Sequence, residues 1–208
     1  MNLETKRNAI MNAIASGGLP SEYQQVDYIE SHSQGEYIDS GYIPNENTEL
    51  DIEFSTATST SDSNLYGVDQ TTRFNMFVNT SSGRGFAFHI PVKISQNVYA
   101  DTGWMVQNIQ TNTFYSLQLS GLFKVFVNDT QYQPLQLTQS MYIFKSRGRT
   151  NVGSFKIKKF DISENGTLVR NFIPCYRIAD NVVGMYDLVG QQFYTNQGGG
   201  AFTYGSEV

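Results

Sequence analysis

From Leu19 onward, apolar residues recur at every second position in short runs, and turns bearing Gly, Asn or Ser cut one run from the next. A period of two belongs to a strand with one buried and one wet face. "ELDIEFST" states it most cleanly: Leu50, Ile52 and Phe54 share one face, and Glu49, Asp51 and Glu53 the other. "YQQVDYIE", "NLYGVD", "RFNMFVN", "GFAFHI", "LFKVFVND", "SFKIKKFDIS" and "VVGMYDLV" continue the rhythm, and the whole series exceeds a dozen strands. No helical stretch separates them. The chain is therefore predicted to stack two antiparallel sheets rather than form a parallel α/β sheet. "SENG" predicts a tight hairpin, because Asn-Gly suits the turns that match strand twist. "KSRGRT" (Lys145 to Thr150) is predicted to be a turn, and the Ser/Thr run from Ser55 to Asn64 a flexible loop or one ordered on binding.

Only the first residues depart from this period. Over residues 3–15, Leu3, Ile10 and Ile14 fall on one helical face, and Gly17-Gly18 would stop the helix. Residues 1–18 are accordingly expected to be an attachment or oligomerisation helix with a hinge, and residues 19–208 one domain. The opening residues lack the apolar run of a secretion signal, and no apolar stretch is long enough to span a membrane. Folding in a reducing cytoplasm is the expectation.

Composition narrows the function classes. Charged residues are only 16% of the chain, the formal net charge is −5, and no dense run of Lys or Arg occurs, which argues against nucleic acid as a partner. The lone Cys175 excludes an intramolecular disulfide and is expected to be a buried, inert thiol. His32 and His89 stand far apart and outside any zinc spacing, and no GxSxG elbow is present. Calcium is the one cofactor left open, through the loop carboxylates Asp62, Asp69 and Asp101.

Three blocks carry a resemblance: Leu19 to Asn45, "MYIFKSRGRTNVGSFKIKKFDISENGTLVRNFIPCYR", and "VVGMYDLVGQQFYTNQGGGAFTYG". They resemble the opening, the late strands and the final hairpin of the concanavalin A-like, laminin-G-like domains found in bacteriophage structural proteins and gut bacterial surface proteins. The resemblance implies an all-β, two-sheet antiparallel jelly-roll sandwich, here preceded by the short N-terminal helix. It also implies that the first and last strands lie side by side, so that the terminal block closes the fold. Ile173, Met185, Tyr186, Leu188, Phe193 and Tyr194 would be buried there, each worth roughly 1.5–3 kcal/mol. Gly184 and Gly198 to Gly200 would allow the bends.

Glu49, Asp51 and Glu53 also match the Glu-x-Asp-x-Glu strand of laminarinase- and lichenase-type glycoside hydrolases, in which they would be nucleophile, helper and acid/base. One sheet face would carry all three carboxyls, and crowding would raise the pKa of one. Yet alternating acidic and apolar residues are the default for a half-wet strand, this strand comes early in the chain, and Trp104 is the sole Trp available to a cleft. No catalysis is expected; the hydrolase, or a bacterial surface lectin, is the alternative. Instead we expect a virion protein (a head fibre, decoration protein or receptor-binding protein) with an adhesin domain for cell-surface glycan. Its helix would bind other virion proteins and assemble a homo-oligomer, a trimer if built as fibres usually are. The ligand contacts are expected on loops at Tyr66, Asp69, Arg73, Arg84, His89 and Trp104.

Overall fold

A computed structural model describes residues 18–69, 73–95, 98–101, 109–120, 133–134 and 137–208. The first strands are β1 (Tyr23–Gln25), β2 (Ile29–Glu30), β3 (Ile38–Asp39), β4 (Thr48–Thr56), β5 (Ser63–Asp69) and β6 (Arg73–Asn79). The middle of the chain adds β7 (Gly85–Ser95), β8 (Val98–Asp101), β9 (Tyr115–Leu119), β10 (Gln133–Pro134), β11 (Tyr142–Ile143) and β12 (Ser146–Arg147). Last come β13 (Phe155–Glu164), β14 (Thr167–Arg177), β15 (Val182–Asp187), β16 (Gln192–Thr195) and β17 (Thr203–Tyr204).

These strands form two sheets, of nine and eight strands. In the first, β13 pairs with β4 along one edge, and β4 pairs in turn with β9. The other edge of β13 is shared: β14 takes Phe160 to Glu164, and β2 takes Lys156 and Ile157. β15 and β16 continue outward from β14, and β17 from β2. The second sheet runs β10-β7-β6-β5-β11-β3, with β8 on β7 and β12 on β5. Every pair is antiparallel except β12 with β5. A sharp bend at Phe144 (φ 70°) turns the chain back along the same edge of β5 that β11 has just used.

Between the sheets, Leu50, Ile52, Phe54, Ile157, Phe160, Ile162, Phe172 and Met185 meet Leu65, Tyr66, Val68, Phe74, Met76, Val78, Phe86 and Phe88. Each of these side chains contributes roughly 1.5–3 kcal/mol by leaving water. β4 keeps the predicted alternation, with Leu50, Ile52 and Phe54 buried and the three acidic residues half-buried outside. The "SENG" hairpin forms as predicted, with Asn165 (φ 48°) and Gly166 (φ 73°) both left-handed in the tight turn between β13 and β14.

The described residues also form the expected terminal closure. β17 pairs with β2, Gly205 N–H donates to Tyr28 O (3.0 Å) and Asp27 N–H to Ser206 O (2.8 Å). Phe202 then packs its ring 4.9 Å from that of Phe144. Met185 and Tyr186 are buried, whereas Ile173, Leu188, Phe193 and Tyr194 are half-buried; at Ile173 it is the neighbouring Phe172 that takes the inward position.

Three expectations need correcting. The predicted fold class included a leading helix, but the described residues contain no helix, so the fold class is an all-β, two-sheet antiparallel sandwich. Residues 3–15, with Leu3, Ile10 and Ile14, lie outside the described residues. The Ser/Thr run is no free loop: Ser55, Thr56, Thr60, Ser63 and Asn64 are buried, and Thr80 Oγ1 accepts from Thr60 N–H at 2.8 Å. Ser55, Thr60 and Ser63 can turn inward there because nearby backbone and hydroxyl groups satisfy their hydroxyls, whereas Thr56 Oγ1 is buried without a partner among the described residues. Finally, "KSRGRT" holds a short strand, β12, before its turn at Gly148 (φ 86°).

Candidate functional site

Alternation along β6 and β7, and along β5 on either side of a register shift between Asn64 and Tyr66, sends Leu65, Tyr66, Phe74, Met76, Phe86 and Phe88 into the core and leaves Asp69, Asn75, Phe77 and His89 on the outer face of the second sheet. Asn75 lies opposite Gly67 on one side and His89 on the other. Gly67 has φ 146°, and a Cβ there would sit 2.2 Å from Asn75 Cβ and 2.5 Å from Phe74 O. Glycine is what lets β6 approach so closely, and the Asn75 side chain is then held between Asp69 and His89.

The result is an ordered polar chain. Asp69, whose side chain is 5% exposed, lies between two guanidinium groups: Arg149 Nε donates to Oδ2, and Arg73 Nε is 3.3 Å from Oδ1. Asn75 Nδ2 also donates to Asp69 Oδ2, at 3.2 Å. With its amino group turned to a carboxylate, Asn75 presents Oδ1 to His89 Nδ1 at 2.9 Å. An amide oxygen only accepts, so this network assigns the His89 proton to Nδ1. The imidazole packs on Phe77, with ring centres 4.7 Å apart.

Loops complete a groove of about 200 Å³, lined by Asp62, Asn64, Asp69, Asn75, Phe77, Arg84, His89, Arg149 and Asn151. Asp62 Oδ1 accepts from Asn79 Nδ2 at 2.8 Å, and Asn64 Nδ2 donates to Asn151 O at 3.4 Å. Aromatic surface, fixed amides and guanidinium groups thus converge on a rigid sheet.

Of the expected ligand residues, the structure brings together Asp69, Arg84 and His89, with Arg73 paired to Asp69 at the margin. Tyr66 is in the core, edge-on to Phe160 at 5.7 Å, and does not line the groove. Trp104 lies outside the described residues. Asn75, Phe77 and Arg149 escaped the sequence reading. Phe77 and Asn75 share strand parity, a usable signal; Arg149 arrives from a distant turn and gave none. Among the carboxylates weighed for calcium, Asp62 and Asp69 line the groove and Asp101 is in register with His89 on β8. Among the described residues, no group of three or more His, Cys, Asp or Glu is placed to hold a metal ion.

The acidic strand forms a separate feature on the outer face of the first sheet. Glu49, Asp51 and Glu53 lie opposite Ser163, Asp161 and Lys159 of β13. Lys159 Nζ is 2.6 Å from Asp51 Oδ2 and 3.4 Å from Asp161 Oδ2, and Asn171 Nδ2 donates to Asp161 Oδ1 at 2.9 Å. A shallow depression of about 210 Å³ beside Glu49 and Asp51 is lined by Leu50, Gln118, Leu119, Ser120 and Ser163. Among the described residues no aromatic ring borders it, and Glu53 stands outside it.

Burial, aided by the neighbouring Asp51 charge, pushes Asp161 up to about 6 despite Lys159 and Asn171. The folded state therefore holds this proton more tightly than the unfolded chain does. Stability on this account falls as pH rises from about 4 to about 6 and is level above. Asp161→Asn removes the penalty: a gain of about 1–3 kcal/mol above pH 6, vanishing below about pH 4, should appear in thermal unfolding measured across that range. A variant no more stable than wild type at pH 8 would contradict this.

Cys175 is fully buried as expected, and burial pushes its thiol up to about 12. It is no nucleophile at neutral pH.

The class of protein defined by fold and groove is a two-sheet antiparallel β-sandwich with a polar, aromatic-backed groove on one outer face. The chain matches no known protein family, no curated protein and no solved structure.

Proposed function

We propose that this protein is a non-catalytic binding module of the concanavalin A-like, laminin-G-like jelly-roll type, and that its ligand is a glycan held in the groove around Asn75 and His89. One observation carries the reading: the Arg149–Asp69–Asn75–His89 chain fixes donors and acceptors beside the Phe77 ring. Sugars are held by this combination, an apolar ring against carbon–hydrogen faces and preset hydrogen bonds to hydroxyls. The site is built on strands, so ordering it on binding costs little entropy.

The acidic strand supports the non-catalytic part of the proposal. Asp51 is committed to Lys159, and the carboxyl with the raised pKa is Asp161, which is engaged by Lys159 and Asn171. A retaining hydrolase would need its acid/base pair to share one sugar cleft, and Glu53 stands outside the depression beside Glu49.

We assign the module to the surface of a bacteriophage particle, as head fibre, decoration protein or receptor-binding protein, attached through residues 1–18 and displaying the sandwich outward. This placement rests on the resemblance of the terminal blocks. Mass spectrometry of purified particles tests it, together with the ability of the isolated protein to coat host cells and block adsorption.

Screening of the purified chain against a glycan array tests the groove. Binders are expected, and Asn75→Ala should weaken them at least tenfold while leaving the sandwich folded. Losing that amide strands a buried acceptor and donor, at a cost of about 1–3 kcal/mol in stability. Undiminished binding by Asn75→Ala, or an array with no binder, would defeat the proposal.

A further inference from the structure

We infer that the glycan carries a carboxylate, as uronic and sialic acids do, and that Arg149 reads it; this rests on the groove being a glycan site. Arg149 is anchored through one nitrogen only, Nε, which donates to Asp69 Oδ2. Among the described residues, its two terminal amino groups have no hydrogen-bond or ion-pair partner, although the side chain lines the groove and is 37% exposed. A guanidinium held at Nε keeps its terminal N–H groups as a planar fork. That fork matches a carboxylate with two parallel hydrogen bonds.

The anchor makes the fork specific. Asp69 is 5% exposed and already meets Arg73, Arg149 and Asn75, so its negative charge is satisfied inside the protein and does not repel an incoming anion. Asp62 Oδ1, the other acid of the groove, is engaged by Asn79. Arg84 supplies a second guanidinium to the lining. The formal charge of the whole chain is −5, yet among the described residues here three arginines gather about Asp62 and Asp69. A neutral sugar offers that fork single hydroxyl acceptors, and not the charged planar pair it matches.

A sulfate ester offers oxygens of similar charge but tetrahedral geometry, so the test separates the two. Calorimetric titration of the full chain uses lactose, sialyllactose and sulfated lactose, alongside neutral and uronic-acid members of the array. Carboxylate-bearing sugars should bind at least tenfold more tightly than their neutral counterparts. Arg149→Lys, which keeps the charge but not the fork, should erase most of that difference. If the variant does not fold, nitrogen NMR of the wild-type arginine side chains decides: the Arg149 terminal amino resonances should shift with the acidic sugar and not with lactose. Equal affinity for neutral and acidic sugars overturns the inference and leaves the glycan site standing. A preference for sulfate, or an Arg149→Lys variant that keeps the discrimination, also overturns it. No sugar bound at all removes both.

Discussion

Gly67→Ala should be the most damaging single substitution on the outer face of the second sheet. A φ of 146° is foreign to residues with a Cβ, and the added carbon would lie 2.2 Å from Asn75 Cβ and 2.5 Å from Phe74 O. Backbone cannot swing aside as a side-chain tip can, so β5 and β6 must separate or slip. Either response breaks a ladder in the centre of the sheet, and a cost of about 3 kcal/mol or more is expected. It should also release Asn75, so His89 loses the partner that fixes its proton on Nδ1. Gly166→Ala is the matched control: φ is 73°, but no atom lies within 4 Å of the added carbon. Only the left-handed backbone term applies there, about 1 kcal/mol. Denaturant unfolding of both variants checks this, with imidazole NMR of Gly67→Ala reporting on the groove. Equal, mild losses would show that β6 is not pressed against β5 as described.

The second large effect is expected at the chain end. Phe202 is 5% exposed and packs on Phe144, which is fully buried. Phe202→Ala should cost about 3–5 kcal/mol, the range for emptying a buried aromatic site. Against a typical total of about 5–15 kcal/mol, such a loss would leave a marginal protein. Deleting residues 202–208 should go further, because it also strips β2 of β17 and Val26 of its bridge to Glu207. An apolar edge at Ile29 would then be opened, and the truncated chain is expected to aggregate or fail to fold. A truncation that unfolds at the wild-type temperature would mean that the terminal strands decorate the sandwich without closing it.

The second prediction concerns a feature that the sequence announced in part, whereas the close approach at Gly67 was not legible in it. The terminal aromatic block was legible in part: Met185 and Tyr186 are buried on β15, although strand period alone would send adjacent residues to opposite faces. Glu49, Asp51 and Glu53 were legible from strand period. Their function was not, since Lys159, Asp161 and Asn171 come from strands more than a hundred residues later, and those partners decide what the carboxyls can do. Tyr66 shows a subtler failure. Strict alternation from Asn64 would place Leu65 inward and Tyr66 outward. The ladder between β5 and β6 shifts register between Asn64 and Tyr66, so both side chains enter the core. A bulge of one residue reverses the face of all that follows, and no local propensity marks it.

What this sequence determines by itself is local: the period of two that makes strands, the Asn-Gly turn, the polar face of β4, and the scarcity of charge that argues against a nucleic-acid partner. Tertiary structure alone decided that Asp69, Asn75, His89 and Arg149 should meet. Their hydrogen bonds join β5, β6, β7 and the turn after β12, and strand register rather than sequence spacing sets which side chains face one another. A side chain's period is written in its neighbours along the chain; its partner across the sheet is fixed only when the whole ladder has closed.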